Sequence, residues 1–228
     1  MFIPLKDLNP RRSFPFVNTA LILVNIAVFL YEALLPVHAR NVFILANATI
    51  PARFPSALAG NSSLELAFLA LLTSMFLHSG IAHIAGNMLF LWIFGDNVED
   101  YFGHIGYLFF YLVCGLIAGL LHVFFNFHSM LPALGASGAI SGVMGAYALL
   151  YPRARVLTLV FIFLVPLPAL LILGLWFAMQ FLQGVSALGS SVAGGVAWWA
   201  HVGGFLTGLF ITMVSRGSSR TRNLGFGS

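Results

Sequence analysis

The stretch LGASGAIS, residues 134–141, places a serine between glycines at the start of an apolar segment. Further along the same segment glycine recurs, at Gly142 and Gly145. Small residues three or four positions apart share a helix face and let a second helix approach closely within a membrane. A polar residue at the head of such a helix is expensive in the bilayer, so Ser137 is a candidate functional residue.

The composition has too few charged residues for a soluble protein. The 228 residues are 60% hydrophobic and 7% charged, with a mean hydropathy of +0.99. A soluble domain carries roughly 25% charged residues. We therefore expect one integral membrane domain. The sequence pI of about 9.6 does not predict a nucleic-acid partner, because the basic residues lie at the ends of apolar segments and form no single patch.

The apolar runs predict six transmembrane helices and hence an all-α polytopic membrane protein. Their approximate bounds are 15–35, 82–101, 105–126, 135–151, 156–184 and 193–214. The chain then divides into a cytoplasmic N-terminal segment (1–14), a six-span domain (15–214) and a flexible cytoplasmic tail (215–228). We expect the interrupted apolar stretch at 64–77 to form interfacial or re-entrant structure in the loop between the first two spans.

The basic residues predict the orientation in the membrane. Six spans bring eight of the ten to one side, namely Lys6, Arg11, Arg12, Arg153, Arg155, Arg216, Arg220 and Arg222. Basic residues accumulate on the cytoplasmic side. Both termini are therefore expected in the cytoplasm and the long loop outside. The short cytoplasmic ends favour the plasma membrane of a bacterium or an archaeon, and an organelle membrane stays open as the alternative.

Polar side chains from three predicted spans converge at one depth. His83 and Asn87 lie near the start of the second span, and Ser137 begins the fourth. His201 lies about eight residues into the sixth, roughly 12 Å below the outer edge. An imidazole within hydrogen-bond reach turns a serine into a nucleophile, and acyl transfer needs hydrogen-bond donors for the oxyanion. The Ser137 backbone N–H, at a helix N-terminus, is one such donor, and the His83 and Asn87 side chains can add others.

Three motifs in this order resemble the rhomboid family of intramembrane serine proteases. They are HSGIAHIAGN at 78–87, GASGAISG at 135–142 and AHVGGFLTG at 200–208. The resemblance implies a six-transmembrane-helix bundle around a water-filled cavity that is open to the outer side, with an interfacial loop between spans one and two. It also implies a serine endopeptidase in the lipid bilayer that cuts transmembrane protein substrates and needs no metal or organic cofactor. The oligomeric state stays open.

The resemblance further implies roles for individual residues. Ser137 would be the nucleophile and His201 its base, as a dyad without a carboxylate. The oxyanion site would comprise His83, Asn87 and the Ser137 backbone amide. A supporting role falls to His78 and to the glycines that permit close backbone approach, namely Gly135, Gly138, Gly204 and Gly208.

Two departures from the family pattern concern the surroundings of the dyad. Some members place a tyrosine four residues after the nucleophile, stacked on the base, whereas this chain has Ser141 there. Orientation of His201 must then come from elsewhere, and Trp198 or Trp199 are candidates. The Trp-Arg pair that many members carry in the outer loop is missing, since the corresponding residues 67–72 read AFLALL.

Other functions stay open at this point. A relative that has lost catalysis would bind membrane proteins without cutting them, although both dyad residues are present here. A small transporter would need a polar path across the bilayer, whereas the polar cluster lies in the outer half. His83 and Asn87 can instead join helices by hydrogen bonds. His78 and His83 lack the HExxH spacing of a zinc site, so no metal is expected.

Overall fold

The computed structural model describes residues 2–188 and 196–224. Within these residues the chain forms nine α-helices and three β-strands. The helices are α1 (Phe16–Leu34), α2 (Val37–Asn47), α3 (Arg53–Leu58), α4 (Leu64–Thr73), α5 (Ile81–Phe102), α6 (His104–Phe125), α7 (Ser137–Leu150), α8 (Ala169–Ala187) and α9 (Trp198–Leu224). The strands are β1 (Phe2–Asp7), β2 (Arg155–Val160) and β3 (Phe163–Pro168).

Several helices are long and apolar enough to cross a membrane. Among the described residues α1, α6 and α8 qualify alone, and the segments Leu64–Phe76 and Ile81–Phe102 qualify as a pair bent by 82°. At 14 residues, α7 is apolar but covers only about 21 Å of a hydrocarbon layer roughly 30 Å thick. The protein is therefore an integral membrane protein that contains one conspicuously short apolar helix.

The short helix α7 forms the centre of the bundle. All eleven of its residues from Gly138 to Ala148 are buried. Helices α5, α6, α8 and α9 pack around it. The burial of every face explains why the segment is apolar throughout and rich in small residues.

Glycines hold α7 against α9. A Cβ atom on Gly204 would overlap the carbonyl of Gly138, and one on Gly208 would overlap the carbonyl of Gly142. The two helices therefore touch backbone to backbone, as the spacing of small residues predicts. The contacts advance in the same direction along both helices, so α7 and α9 are parallel and their first turns lie side by side.

The all-α expectation is wrong at the N-terminus and in the predicted fifth span. The three strands form an antiparallel sheet in the order β1-β2-β3, with Val156 opposite Leu167 and Ile3 opposite Leu159. Residues 155–168 are a hairpin, and the helix expected from 156 begins only at Ala169. A short apolar run does not distinguish a strand from a helix by hydropathy alone, which is why the segment was assigned to a span.

Proline chemistry explains where this hairpin ends and α8 begins. Pro166 lies in β3, which is an edge strand, the place in a sheet where a residue without an N–H is tolerated. Pro168 occupies the N-cap position of α8, where no intrahelical donor is required. The same two prolines would have interrupted a helix that ran through from residue 156.

The N-terminal strand is anchored on the central helix. Tyr147 of α7 donates a hydrogen bond to the Asp7 carboxylate at 2.8 Å. Burial raises the pKa of Asp7 above its ordinary value, although the Tyr147 bond opposes this change. Residues 1–14 therefore contain an ordered element, β1, that is joined both to β2 and to α7.

A glutamate of α5 caps the first helix. The carboxylate of Glu99 accepts hydrogen bonds from the backbone N–H groups of Val17 and Asn18 at 3.0 and 2.7 Å. Pro15, at the N-cap of α1, supplies no side-chain cap of its own. A carboxylate at a helix N-terminus satisfies free donors and complements the helix dipole. This contact fixes α1 against α5, the helix that carries His83 and Asn87.

The long loop between α1 and α5 contains short helices. The stretch at 64–77, expected to be interfacial or re-entrant, forms α4 and a 3-10 turn (Ser74–Phe76). Thr49 and Ala133 exchange backbone hydrogen bonds, which ties this loop to the segment that leads into α7. The loop therefore lies at the same end of the bundle as Ser137.

The last helix differs from the predicted sixth span at both ends. It begins at Trp198, and residues 193–195 of the predicted span lie outside the described residues. It continues as helix through 215–224, which the composition had assigned to a flexible tail. Extending an existing helix costs little per residue, so weak local preference suffices. Residues 225–228 also lie outside the described residues.

Candidate active site

Ser137 is the first residue of α7. The preceding Gly135 has φ of +125°, a conformation that favours glycine, and its N–H donates to the Ser74 carbonyl at 2.8 Å. This turn delivers the chain into the helix with Ser137 at its exposed end. The backbone N–H of Ser137 is among the first-turn donors that have no acceptor within the helix.

The side chains of Ser137 and His201 are in direct contact. The Oγ atom of Ser137 lies 2.8 Å from Nε2 of His201. His201 is in the first turn of α9, nearer the helix start than the eight residues expected, because the helix begins at Trp198. The backbone contact between Gly138 and Gly204 brings these two first turns together.

His83 and Asn87 lie on one face of α5 and line the same cavity as the pair. A Cβ atom on Gly135 would lie 2.8 Å from Nε2 of His83 and 3.6 Å from Nδ2 of Asn87. A larger residue at 135 would therefore push into the His83 ring and come into contact with the Asn87 amide. The glycine lets the chain that enters α7 pass close to the two potential donors.

His78 is buried behind Asn87. Its Nε2 lies 3.0 Å from Nδ2 of Asn87, so the ring accepts a hydrogen bond from the amide. The His78 backbone N–H in turn contacts Oε2 of Glu32 at 3.3 Å. Glu32 was not singled out from the sequence, because it belongs to α1 and lies 46 residues away. Its one sequence signal was a carboxylate near the end of an apolar span.

A cavity of about 680 Å³ lies over the pair. Its walls include aromatic rings such as Trp176 of α8 and Trp198 of α9. They also carry four of the polar side chains described above, namely Ser137, His201, His83 and Asn87. The volume falls within the range of about 300–1,000 Å³ typical of ligand pockets. Among the described residues no group of three or more His, Cys, Asp or Glu is arranged to hold a metal ion.

Of the two tryptophans expected near His201, Trp198 contacts the imidazole, whereas Trp199 stacks on a different ring. Trp199 stacks on Phe125 with ring centroids 4.0 Å apart. Trp198 presents an edge-on contact at 6.3 Å, and Trp176 lies 5.8 Å from the imidazole. Ser141, where a stacking tyrosine was considered, donates to the Ser137 carbonyl within α7.

One further residue bonds the imidazole. The Oε1 atom of Gln180, on α8, lies 2.6 Å from Nδ1 of His201. The sequence analysis missed this glutamine, which precedes His201 by 21 positions on a different helix. The one indication in the sequence was that Gln180 is a polar residue inside an apolar span, and the same is true of the nearby Gln183.

The arrangement suits acyl transfer. A serine hydroxyl and a neutral imidazole nitrogen are within hydrogen-bond distance, at a helix N-terminus that favours developing negative charge. Additional N–H donors line the same cavity. This is the minimal set for a serine hydrolase: a nucleophile, a base and a place for the oxyanion.

Comparison with known proteins identifies the family of this chain. Residues 65–218 match the Rhomboid domain. The chain is 30% identical over 146 residues to Rhomboid protein 1, mitochondrial, of Saccharomyces cerevisiae, covering 62% of this chain and 40% of the relative. It is 45% identical over 76 residues to Rhomboid protease GluP of Bacillus subtilis, covering 33% and 14%. It is 34% identical over 144 residues to RHOMBOID-like protein 6, mitochondrial, of Arabidopsis thaliana, covering 63% and 42%.

The chain spans less than half the length of each of these relatives. The matched segment nevertheless covers more than half of this chain and contains Ser137, His201 and the glycine contact between α7 and α9. The protein belongs to the rhomboid family.

Proposed function

We propose that the protein is an intramembrane serine protease that cleaves peptide bonds in or near transmembrane segments of membrane proteins. The observation that carries the proposal is the 2.8 Å contact between Ser137 Oγ and His201 Nε2. A pair of this kind activates a hydroxyl for attack on a carbonyl. The relative from Bacillus subtilis is itself named a rhomboid protease.

The proposed reaction proceeds through an acyl-enzyme. The Ser137 oxygen attacks the scissile carbonyl while its proton passes to Nε2 of His201. Collapse of the tetrahedral intermediate breaks the C–N bond, and the imidazolium returns the proton to the leaving amine. Water, deprotonated by His201 in the same way, then hydrolyses the ester and restores the serine.

The proposed oxyanion site combines backbone and side-chain donors. The Ser137 N–H lies at the start of α7, and Asn87 and His83 line the cavity beside it. The bond from the Asn87 amide to His78 uses one of its two N–H groups and leaves the other for the substrate. Donors that are held in place before the reaction stabilise the oxyanion without reorganisation.

We also propose six spans, formed by α1 and α5 to α9, with both termini in the cytoplasm. Pairing of β1 with β2 joins the N-terminal segment to the loop after α7. Arg216 of α9 donates to the carbonyl of Leu149 at 3.0 Å. The N-terminal segment, the loop after α7 and the second half of α9, which carry the eight basic residues, therefore meet at one end of the bundle. Ser137 is at the opposite end of α7, which supports an active site that opens outward. A bacterial or archaeal plasma membrane stays a prediction.

Cleavage of a model substrate tests the proposal. The purified chain would be reconstituted in liposomes with a single-span protein that has a small residue in an unstable part of its helix. We expect a defined cut with the native chain and none with Ser137→Ala. If the native chain bound the substrate without cutting it, the protease assignment would be wrong and the non-catalytic binding alternative would be favoured.

Removal of one proposed oxyanion donor should slow the reaction strongly. We expect Asn87→Ala to lower kcat by about 100-fold or more, with a smaller change in KM, because the lost bond is formed mainly in the transition state. Steady-state cleavage of the model substrate measures both constants. Asn126→Ala is the matched control, since that amide lines the cavity but donates to the carbonyl of His122 in α6. An unchanged kcat for Asn87→Ala would exclude the oxyanion role.

A further inference from the structure

We propose that Gln180 is the residue that orients His201 and fixes its tautomer. This inference rests on the proposed protease function. Gln180 Oε1 lies 2.6 Å from His201 Nδ1, while the other ring nitrogen lies 2.8 Å from Ser137 Oγ. The three side chains form a continuous chain of hydrogen bonds across α8, α9 and α7.

The bond to Gln180 leaves the correct nitrogen free for the reaction. A neutral imidazole carries one N–H, and its second nitrogen has a lone pair. When Nδ1–H donates to the amide oxygen, Nε2 keeps its lone pair towards the serine hydroxyl. The opposite tautomer would present an N–H to the hydroxyl and could not accept its proton. Gln180 therefore holds His201 in the form that a general base requires.

The position of Gln180 in α8 supports a dedicated role. In α8, which the structure describes in full, the buried residues are Ala169, Leu173, Gln180 and Gly184, and Gln180 alone among them has a polar side chain. It is 8% exposed. A buried amide inside a membrane protein is costly unless it is hydrogen-bonded. Gln183, three residues later on the same helix, is exposed and therefore serves as an internal comparison.

Other groups around His201 cannot take this role. Trp176 and Trp198 contact the ring at centroid distances of 5.8 and 6.3 Å and supply packing. The other titratable side chains that face it are His122 of α6 and His83 of α5. Among the described residues no carboxylate is hydrogen-bonded to His201, so the neutral amide is its one orienting partner through Nδ1.

A neutral partner has a testable consequence for the pH dependence. An amide fixes the ring but adds no negative charge to stabilise the imidazolium. A carboxylate at the same place would do both. In Gln180→Glu the acid limb of the rate profile should therefore move to higher pH. The imidazole would stay protonated up to a higher pH, and a protonated imidazole cannot act as a base. At the alkaline end the rate should return to near the native value.

The kinetic test compares three variants of the full chain in detergent. We expect Gln180→Leu to lower kcat for the model substrate by about 10- to 100-fold with little change in KM, since a buried donor loses its acceptor. Gln180→Glu should recover most of this loss at high pH. Gln183→Leu should match the native chain throughout. A native kcat and pH profile for Gln180→Leu would overturn the proposal.

A spectroscopic readout separates this inference from the proposed function. The nitrogen chemical shifts of ¹⁵N-labelled histidine report the tautomer, and comparison with His201→Ala assigns the signal. We expect an Nδ1–H ring in the native chain and a mixture in Gln180→Leu. This result would support the orienting role even if no substrate were cut, whereas an Nε2–H ring in the native chain would overturn it even if cleavage were observed.

Discussion

Alanine in place of His201 is expected to lower the rate at which a fluorophosphonate probe labels Ser137 by about 1000-fold or more at neutral pH. The probe reacts with serines whose proton can be removed. In the proposed mechanism the acceptor is Nε2 of His201, which lies 2.8 Å from Oγ. Without the ring, the hydroxyl loses the nitrogen to which it is hydrogen-bonded and keeps its proton. Ser137→Ala should abolish labelling, because it removes the attacking oxygen itself.

Substrate cleavage by the same variants should reveal that the two residues act as one unit. The double variant Ser137→Ala with His201→Ala should be no slower than either single variant, since each already removes the proton transfer. If the two residues contributed independently, the fold losses in rate of the two single variants would instead multiply in the double variant. The double-variant comparison therefore distinguishes a dyad from two separately useful polar groups.

The labelling experiment needs a control for the loss of a histidine. His128 is exposed in the loop after α6 and does not line the cavity, so His128→Ala should label at the native rate. Rates would be measured with purified folded protein in detergent over a series of probe concentrations. Labelling of His201→Ala at more than a tenth of the native rate would contradict the assignment of His201 as the base.

Valine in place of Gly208 is expected to destabilise the fold by about 3 kcal/mol or more. A Cβ atom there would overlap the backbone of Gly142, and neither backbone can move aside without separating α7 from α9. Gly204→Val should act similarly through Gly138. Because the same contact brings Ser137 to His201, any folded fraction should also label slowly.

Unfolding in mixed detergent micelles would measure this effect, with labelling as a second readout. Gly174→Val is the matched control, because that glycine lies on the exposed face of α8 and a Cβ atom there meets nothing within 4 Å. We expect the control to stay within about 0.5 kcal/mol of the native chain. Equal stability of Gly208→Val and Gly174→Val would show that α7 and α9 do not depend on backbone contact.

Much of the bundle was predictable from local sequence. Helices α1, α5 and α6 lie close to their expected bounds, because long apolar runs leave few alternatives inside a membrane. The hairpin at 155–168 could not be predicted from local sequence, because an apolar strand and an apolar helix have the same hydropathy. Its pairing with residues 2–7 depends on two segments about 150 positions apart in the sequence.

The candidate site, like the fold, was only partly predictable from local sequence. The spacing of His83 and Asn87 put them on one helix face, and the glycines indicated which helices could meet closely. These are local properties of a helix, with its fixed 3.6-residue period. The motifs at 78–87, 135–142 and 200–208 were therefore enough to single out Ser137 and His201 as candidates before any coordinates.

The partners of His201 and His78 could not be found in this manner. Gln180 and Glu32 belong to helices without a recognisable motif, and nothing in their local sequence indicates which neighbour each one faces. That depends on the rotation of α8 and α1 about their own axes, which is set by packing across the whole bundle. Residue order was sufficient to identify a membrane protein and to single out Ser137 and His201 as candidates, because both depend on composition and helical spacing. The orientation of His201 depended on the assembled helices, because a hydrogen bond between distant segments exists only after they pack.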